Sequence, residues 1–118
     1  MKNIILIGMP GAGKSTVGVL LAKSMGYDFV DADLVIQKQQ GTKLQNIIDE
    51  RGLDGFKQAE EQALLSINDK KAIIATGGSA VFSTAGMAHL KENGICVYLR
   101  VDEQELIRRC LLYTSDAA

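Results

Sequence analysis

Short apolar runs alternate with segments of helical periodicity along this chain. Four runs are predicted to be strands: NIILIG, YDFVDAD, AIIATGG and ICVYLRV. The first is apolar and β-branched, which is typical of a parallel strand buried on both faces. Between the runs, apolar residues recur at helical spacing, as at Val17, Leu20 and Leu21. The alternation predicts an α/β domain with a mostly parallel sheet and helices on both faces.

Glycine and capping residues suggest where the helices end. Gly26 and Gly41 stand where glycine commonly ends a helix, and Gly94 is predicted to end the helix STAGMAHLKENG. Thr42 is a candidate N-cap of the helix TKLQNIIDERG, and Asp54 is a candidate N-cap of a separate helix that follows. The segment DEQELIRRCLL has capping-box spacing and is predicted to be a last helix.

Composition and charge are those of one ordinary globular domain. The 118 residues are 47% hydrophobic and 23% charged, and the net charge is -1 with both signs interspersed. Without a clustered basic face, we expect no nucleic-acid partner. No apolar run approaches the about 20 residues of a membrane span, and the opening run is too short for a signal peptide. Cys96 is expected to be a small buried residue, and the protein a reduced, cytoplasmic monomer.

The segment GMPGAGKST, from Gly8 to Thr16, fits the phosphate-loop pattern G-x-x-x-x-G-K-[ST] and lies between a strand and a helix. Backbone N–H groups of such a loop wrap a phosphate, and the helix N-terminus favours an anion. Lys14 is expected to reach the β- and γ-phosphates of a nucleoside triphosphate, and Ser15 to bind Mg²⁺. The predicted phosphate-binding residues are Gly11, Ala12, Gly13, Lys14, Ser15 and Thr16.

Two further strand ends carry candidate chemistry, because ligands of open α/β sheets bind beyond the carboxyl ends of strands. If the chain stays extended through FVDAD, Asp31 and Asp33 share a face, one near Mg²⁺ and the other near a substrate hydroxyl. Alternatively, Asp33 only caps the next helix. The glycines of TGGSAV suggest close approach to a ligand, or a plain turn. Lys57 and Glu60 share a helix face that looks into a pocket or, more commonly, into solvent.

In this order, the motifs LIGMPGAGKSTVG, FVDAD, GFKQAEEQAL and ATGGSAV resemble shikimate kinase, a family of the nucleoside monophosphate kinase-like P-loop group. The resemblance runs from about Lys2 to Arg109. It implies a P-loop kinase fold and ATP-dependent phosphorylation of shikimate to shikimate 3-phosphate, a step of aromatic amino acid biosynthesis. ATP and shikimate are then the expected partners, with Mg²⁺ as cofactor.

The resemblance also implies roles for individual residues. Lys14 and Asp33 would be catalytic: Lys14 holds the phosphates, and Asp33 orients the attacking hydroxyl. Ser15 and Asp31 would lie at the metal. On the acceptor side the implied residues are Asp33, Lys57, Gly77, Gly78 and Ser79.

Two positions depart from the family pattern, and both fall on the acceptor side. Lys57 stands where the family has an arginine that forks onto the shikimate carboxylate, and lysine lacks that planar geometry. Ser79 replaces a third glycine. Two alternatives therefore stay open: a kinase of the same fold acting on another hydroxyl compound, such as a sugar acid or an amino alcohol, and a nucleotide-binding NTPase module without a small acceptor. A nucleoside monophosphate kinase is disfavoured by the few basic residues between Thr42 and Ile67.

The resemblance implies that members of the family are longer than this chain by roughly one strand, one helix and a lid. We therefore expect residues 1–110 to form an incomplete kinase core with an unpaired sheet edge. The tail LLYTSDAA, residues 111–118, does not resemble a lid, and our hypothesis is that it is not native. Without a lid to exclude water, the chain alone is expected to be poorly active.

Overall fold

The computed structural model describes residues 2–8 and 14–99. In these residues the chain alternates strands and helices, as the apolar pattern predicts. The elements are β1 (Asn3–Ile7), α1 (Lys14–Met25), β2 (Asp28–Asp31), α2 (Ala32–Gln40), α3 (Leu44–Ser66), β3 (Ala72–Ala75), a 3-10 turn (Ala80–Phe82), α4 (Thr84–Lys91) and β4 (Gly94–Tyr98).

The strands of the described residues form one sheet in the order β2-β3-β1-β4, and every neighbouring pair is parallel. The first strand therefore pairs with the third and the fourth, and the second strand lies at an edge. In register, Ile4 stands opposite Ile73, and Asp31 opposite Ala75. The predicted parallel α/β sheet is confirmed.

Helices pack on both faces of the sheet, because the strand side chains alternate between two apolar clusters. On one face Leu6 and Ile73 pack with Ala22 of α1. The opposite cluster joins the sheet to α3 and α4, and it contains Ile5, Leu64, Ile67, Ile74, Met87 and Leu90. Leu6, Ile5, Ile73 and Ile74 are fully buried, so the central strands are covered on both sides.

Two of the three predicted helix-ending glycines are confirmed. Gly26 and Gly41 adopt left-handed φ angles of 70° and 69° directly after α1 and α2. After α1, the Tyr27 N–H donates to the Ala22 carbonyl at 2.9 Å, which closes the helix end.

The prediction that Gly94 ends α4 is wrong, because Gly94 is the first residue of β4 and Glu92 follows the helix as its C-cap. A Cβ at Gly94 would lie 2.8 Å from the Leu90 carbonyl oxygen and 3.3 Å from that of Asn3. Glycine is needed there for close packing of β4 against its neighbours rather than for a helix end.

Two helices are predicted between Thr42 and Ile67, and α3 consists of two helices joined across a kink. Gly52 marks the break with φ 71° and ψ -177°, which is not helical. The N-cap is Lys43 rather than Thr42, whose Oγ1 instead accepts a hydrogen bond from Asn46 Nδ2 at 2.9 Å. The predicted division into two helices is therefore confirmed, but Asp54 lies inside the second helix and is not its N-cap, because the kink is at Gly52.

Cys96 is only half-buried, because its strand β4 lies at the edge of the sheet. The predicted helix DEQELIRRCLL and the tail of residues 111–118 lie outside the described residues. Among the residues that are described, no helix has both the length and the apolar character needed to cross a bilayer.

Candidate active site

The candidate residues collect at the carboxyl ends of three adjacent strands. The order β2-β3-β1 brings the ends of these strands side by side, and α1, α2 and the segment after β3 start from that edge. Thr76 fastens the end of β3 to β1, since its Oγ1 donates to the Leu6 carbonyl at 2.8 Å. This edge is where open parallel sheets bind their ligands.

Lys14 is the first described residue after the phosphate loop, and it lies at the start of α1. Its Nζ donates to the Gly8 carbonyl at 2.8 Å, which bends the side chain back towards the end of β1. Burial lowers the pKa of Lys14, and the charge of Asp33 opposes this shift. Thr16 is exposed on α1. The predicted phosphate-binding residues Gly11, Ala12 and Gly13 lie outside the described residues.

Asp31 joins the end of β2 to the start of α2. Its Oδ1 accepts hydrogen bonds from the backbone N–H groups of Asp33, at 2.9 Å, and Leu34, at 3.4 Å, so Asp31 is the N-cap of α2. The expectation of an extended chain through Asp33 is therefore wrong, and so is the alternative in which Asp33 is the cap. The helix starts at Ala32, one residue after the strand ends, because the Asp31 carboxylate satisfies its first N–H groups.

The second oxygen of Asp31 faces Ser15 in the first turn of α1. Ser15 Oγ donates to Asp31 Oδ2 at 3.5 Å, so the two predicted metal ligands are neighbours. A hydroxyl and a carboxylate oxygen are hard ligands that fit Mg²⁺, which commonly takes few protein ligands and completes its shell with phosphate oxygens and water. Within residues 2–8 and 14–99, no group of three or more acidic, histidine or cysteine side chains could hold a metal unaided.

Asp33 points from the first turn of α2 towards the segment after β3. A Cβ on Gly77 would lie 2.8 Å from Asp33 Oδ1, so the glycine leaves room for this carboxylate. Burial raises the pKa of Asp33, the negative charge of Asp31 adds to the rise, and Lys14 opposes it. The predicted pair of Lys14 and Asp33 thus lies within electrostatic reach of each other at this edge.

The side chain of Glu60, in α3, also approaches Gly77. Only 2% of Glu60 is exposed, and the Cβ on Gly77 would lie 3.3 Å from its Oε2. Ser79 Oγ donates towards both carboxylate oxygens, at 3.0 Å and 3.1 Å. Burial raises the pKa of Glu60; the Ser79 hydrogen bond opposes the rise and the charge of Asp33 adds to it.

The sequence underrates Glu60, because its pattern favours a solvent-facing position, whereas the structure buries this side chain. A signal was present. Ala59, Ala63 and Leu64 are all buried, so Glu60 interrupts an apolar stripe at helical spacing. A charge within such a stripe is buried with its helix, and buried charges need partners.

Of the remaining predicted residues, Lys57 is exposed, but it lines a cavity of about 150 Å³ together with Glu60 and Ser79. The two departures from the family pattern therefore border one cavity. Gly78 is exposed in the turn between Gly77 and Ser79.

A larger cavity, of about 610 Å³, lies at the opposite end of the sheet. Its lining includes Asn3, the first residue of β1, and Lys71 and Asn93, which directly precede β3 and β4, and none of the predicted site residues reaches it. Volume alone would therefore point away from the strand ends that carry the carboxylates.

Comparison with known proteins gives one consistent result. The family model described as shikimate kinase matches residues 10–115. The chain is 43% identical to a shikimate kinase of Thermodesulfovibrio yellowstonii, over 92% of this chain and 64% of the relative, and 44% identical to one of Synechococcus, over 91% and 55%. The solved structure of an Acinetobacter baumannii shikimate kinase in complex with shikimate superposes with a TM-score of 0.81 at 35% identity, covering 92% of this chain and 62% of that one. The chain thus spans less than two thirds of each of these proteins.

Proposed function

Since the chain belongs to the shikimate kinase family, we propose that the protein containing it transfers the γ-phosphoryl group of ATP to a hydroxyl of shikimate, giving shikimate 3-phosphate. The observation that carries the proposal is the meeting of Asp33 and Glu60 at Gly77, beside Lys14. Lys14, whose positive charge suits phosphates, thus lies near the carboxylates of Asp33 and Glu60, which can accept hydrogen bonds from a hydroxylated acceptor. The proposal includes the cytoplasmic, monomeric state expected from the sequence.

In the proposed reaction, the acceptor oxygen bonds to the γ-phosphorus while the bond from that phosphorus to the bridging oxygen of ADP breaks. Lys14 offsets charge on the phosphates. Asp33 accepts a hydrogen bond from the attacking hydroxyl and takes its proton, and a raised pKa makes this carboxylate a better proton acceptor. Bound Mg²⁺, held by Ser15 and near Asp31, would supply further neutralisation of phosphate charge.

On the acceptor side, Lys57 carries the positive charge that suits a carboxylate, although a single ammonium holds it less rigidly than a guanidinium. Its exposed side chain borders the cavity of Glu60 and Ser79. Because Lys57 and Ser79 both depart from the family pattern here, a second candidate is a kinase of the same fold with another small hydroxyl acceptor.

The test is ADP release from MgATP with and without shikimate. It is run on the 118-residue chain and on the longest native reading frame that contains it, because low turnover is predicted for the chain alone. Asp33→Asn should abolish shikimate-dependent release while ATP binding persists. Asp28→Asn, which changes an exposed aspartate at the start of β2, the strand that leads into α2, is the matched control and should behave as wild type.

Each outcome separates the candidates. Shikimate-dependent release that is lost in Asp33→Asn supports the proposal. Release that depends instead on a sugar acid or an amino alcohol in an acceptor panel supports the second candidate. Release that no hydroxyl compound changes supports an NTPase module and contradicts both kinase assignments.

A further inference from the structure

The carboxylate of Glu60 depends on one hydroxyl group. Glu60 is 2% exposed, and among the described residues Ser79 is its hydrogen-bond donor, with no ion pair to a described lysine or arginine. Ser79 Oγ lies at nearly equal distances, 3.0 Å and 3.1 Å, from the two carboxylate oxygens. One hydroxyl proton can therefore serve either oxygen, and the contact fixes the carboxylate relative to the turn after β3.

A buried carboxylate with so few partners is costly, because burial penalises its charged form. The groups that face Glu60 from neighbouring elements do little to offset this. Asp33 of α2 raises the pKa of Glu60 further, Glu61 on the same helix is also acidic, and Lys57 is exposed, where its charge is screened by solvent. The Ser79 hydrogen bond acts in the opposite direction and lowers that pKa.

We propose that Ser79 is a positioning residue, whose hydroxyl holds the Glu60 carboxylate in its place at the end of β3. Held there beside Asp33 and Gly77, Glu60 faces the acceptor side as a hydrogen-bond acceptor for a hydroxylated substrate. The part of this inference that concerns the acceptor rests on the proposed function, whereas the link between Ser79 and Glu60 does not.

The position allows a clean substitution. Ser79 has φ -95° and ψ 0°, which alanine and threonine also adopt, so Ser79→Ala removes the hydroxyl without straining the backbone. Ser79→Thr retains a hydroxyl and is the rescue variant. Ser83→Ala is the matched control, because Ser83 Oγ donates to Glu61 at 3.3 Å and borders the same cavity.

The first experiment is an NMR titration of the Glu60 side-chain carboxyl in the whole chain without ligands. Ser79→Ala should raise the pKa of Glu60 above its wild-type value, and Ser79→Thr should bring it back. Ser83→Ala should lower the melting temperature, since Ser83 also caps α4, yet leave the Glu60 titration unmoved. An unchanged Glu60 titration in Ser79→Ala would overturn the proposal, and so would an equal shift in Ser83→Ala.

The second experiment measures ADP release by the longest native reading frame. If the kinase assignment holds, Ser79→Ala should raise the KM for shikimate by about tenfold and leave the KM for ATP unchanged. A change confined to ATP would contradict an acceptor-side role. The titration needs no substrate, so a shifted Glu60 with no response to shikimate would retain the Ser79 link and reject the proposed function.

Discussion

Gly77→Ala should separate catalysis from stability. The added Cβ would lie 2.8 Å from Asp33 Oδ1 and 3.3 Å from Glu60 Oε2, whereas ordinary contacts lie at 3.4–4 Å. Both obstructing atoms are ends of flexible side chains, so they can retreat by several tenths of an ångström at little cost to the fold. We expect the free energy of unfolding to fall by less than about 1 kcal/mol.

The same retreat moves the two carboxylates of the candidate site. Because a misplacement of about 1 Å can cost about 100-fold in rate, we expect the kcat/KM for shikimate to fall by about 10- to 100-fold while ATP binding persists. The assays are shikimate-dependent ADP release by the longest native reading frame and urea unfolding monitored by circular dichroism.

Gly94→Ala is the matched control, because it adds the same methyl group at a strand end far from the site. There the Cβ would meet the Leu90 carbonyl oxygen at 2.8 Å and the Asn3 carbonyl oxygen at 3.3 Å, and backbone cannot retreat as a side chain can. We expect a loss of about 1–3 kcal/mol in stability. If Gly77→Ala is destabilised as much as Gly94→Ala, or keeps wild-type kcat/KM, then the absence of a side chain at Gly77 does not set the positions of the two carboxylates.

Three further substitutions test other parts of the structure. Asp33→Asn should raise the melting temperature at pH 7. Burial raises the pKa of Asp33 in the folded state, so ionisation of Asp33 destabilises the fold above its unfolded pKa, and the gain should vanish below about pH 4. An equal gain in melting temperature at pH 7 and below about pH 4 would contradict this. Asn3→Ala should lower the free energy of unfolding in urea by about 2 kcal/mol. The buried Asn3 side chain donates to the Asp69 carbonyl and accepts from the Ala72 N–H, both at 2.7 Å, and both hydrogen bonds would be lost. A loss of stability smaller than that of an alanine substitution at an exposed position would refute this prediction. Gly52→Ala should lower the free energy of unfolding by about 1–3 kcal/mol. The cause is backbone strain alone, since φ at Gly52 is 71° and nothing lies within 4 Å of the new methyl group. Wild-type stability would show that the backbone at the kink adopts another conformation without cost.

The sheet was predictable because its information is local. The apolar run NIILI favours a strand covered on both faces, and Gly26 and Gly41 take left-handed angles directly after their helices, and both signals lie in neighbouring residues. Gly94 misled the same reasoning. A glycine after a helix indicates a helix end or close packing with equal force, and the contact with Asn3, 91 positions earlier in the chain, is not visible in the local sequence.

The candidate site was predictable as a location and less so as an arrangement. Strand ends and the phosphate-loop pattern indicated the right edge of the sheet, but whether β2 stopped before or after Asp33 depended on the two capping hydrogen bonds that the Asp31 carboxylate accepts. Glu60 depended on tertiary packing, because only the docking of α3 against the sheet buries it next to Ser79.

The strand order has a consequence for synthesis on the ribosome. Among the described strands, β1 pairs with β3 and β4. The Asn3 side chain accepts a hydrogen bond from the backbone N–H of Ala72, which is 69 residues later in the chain. At about 5–20 residues per second, that partner is made about 3–14 s after Asn3. Throughout this interval an apolar strand is exposed without a hydrogen-bonding neighbour, so nascent chains that have not yet released Ala75 are natural clients for chaperones, and slow codons between α2 and β3 would lengthen their exposure.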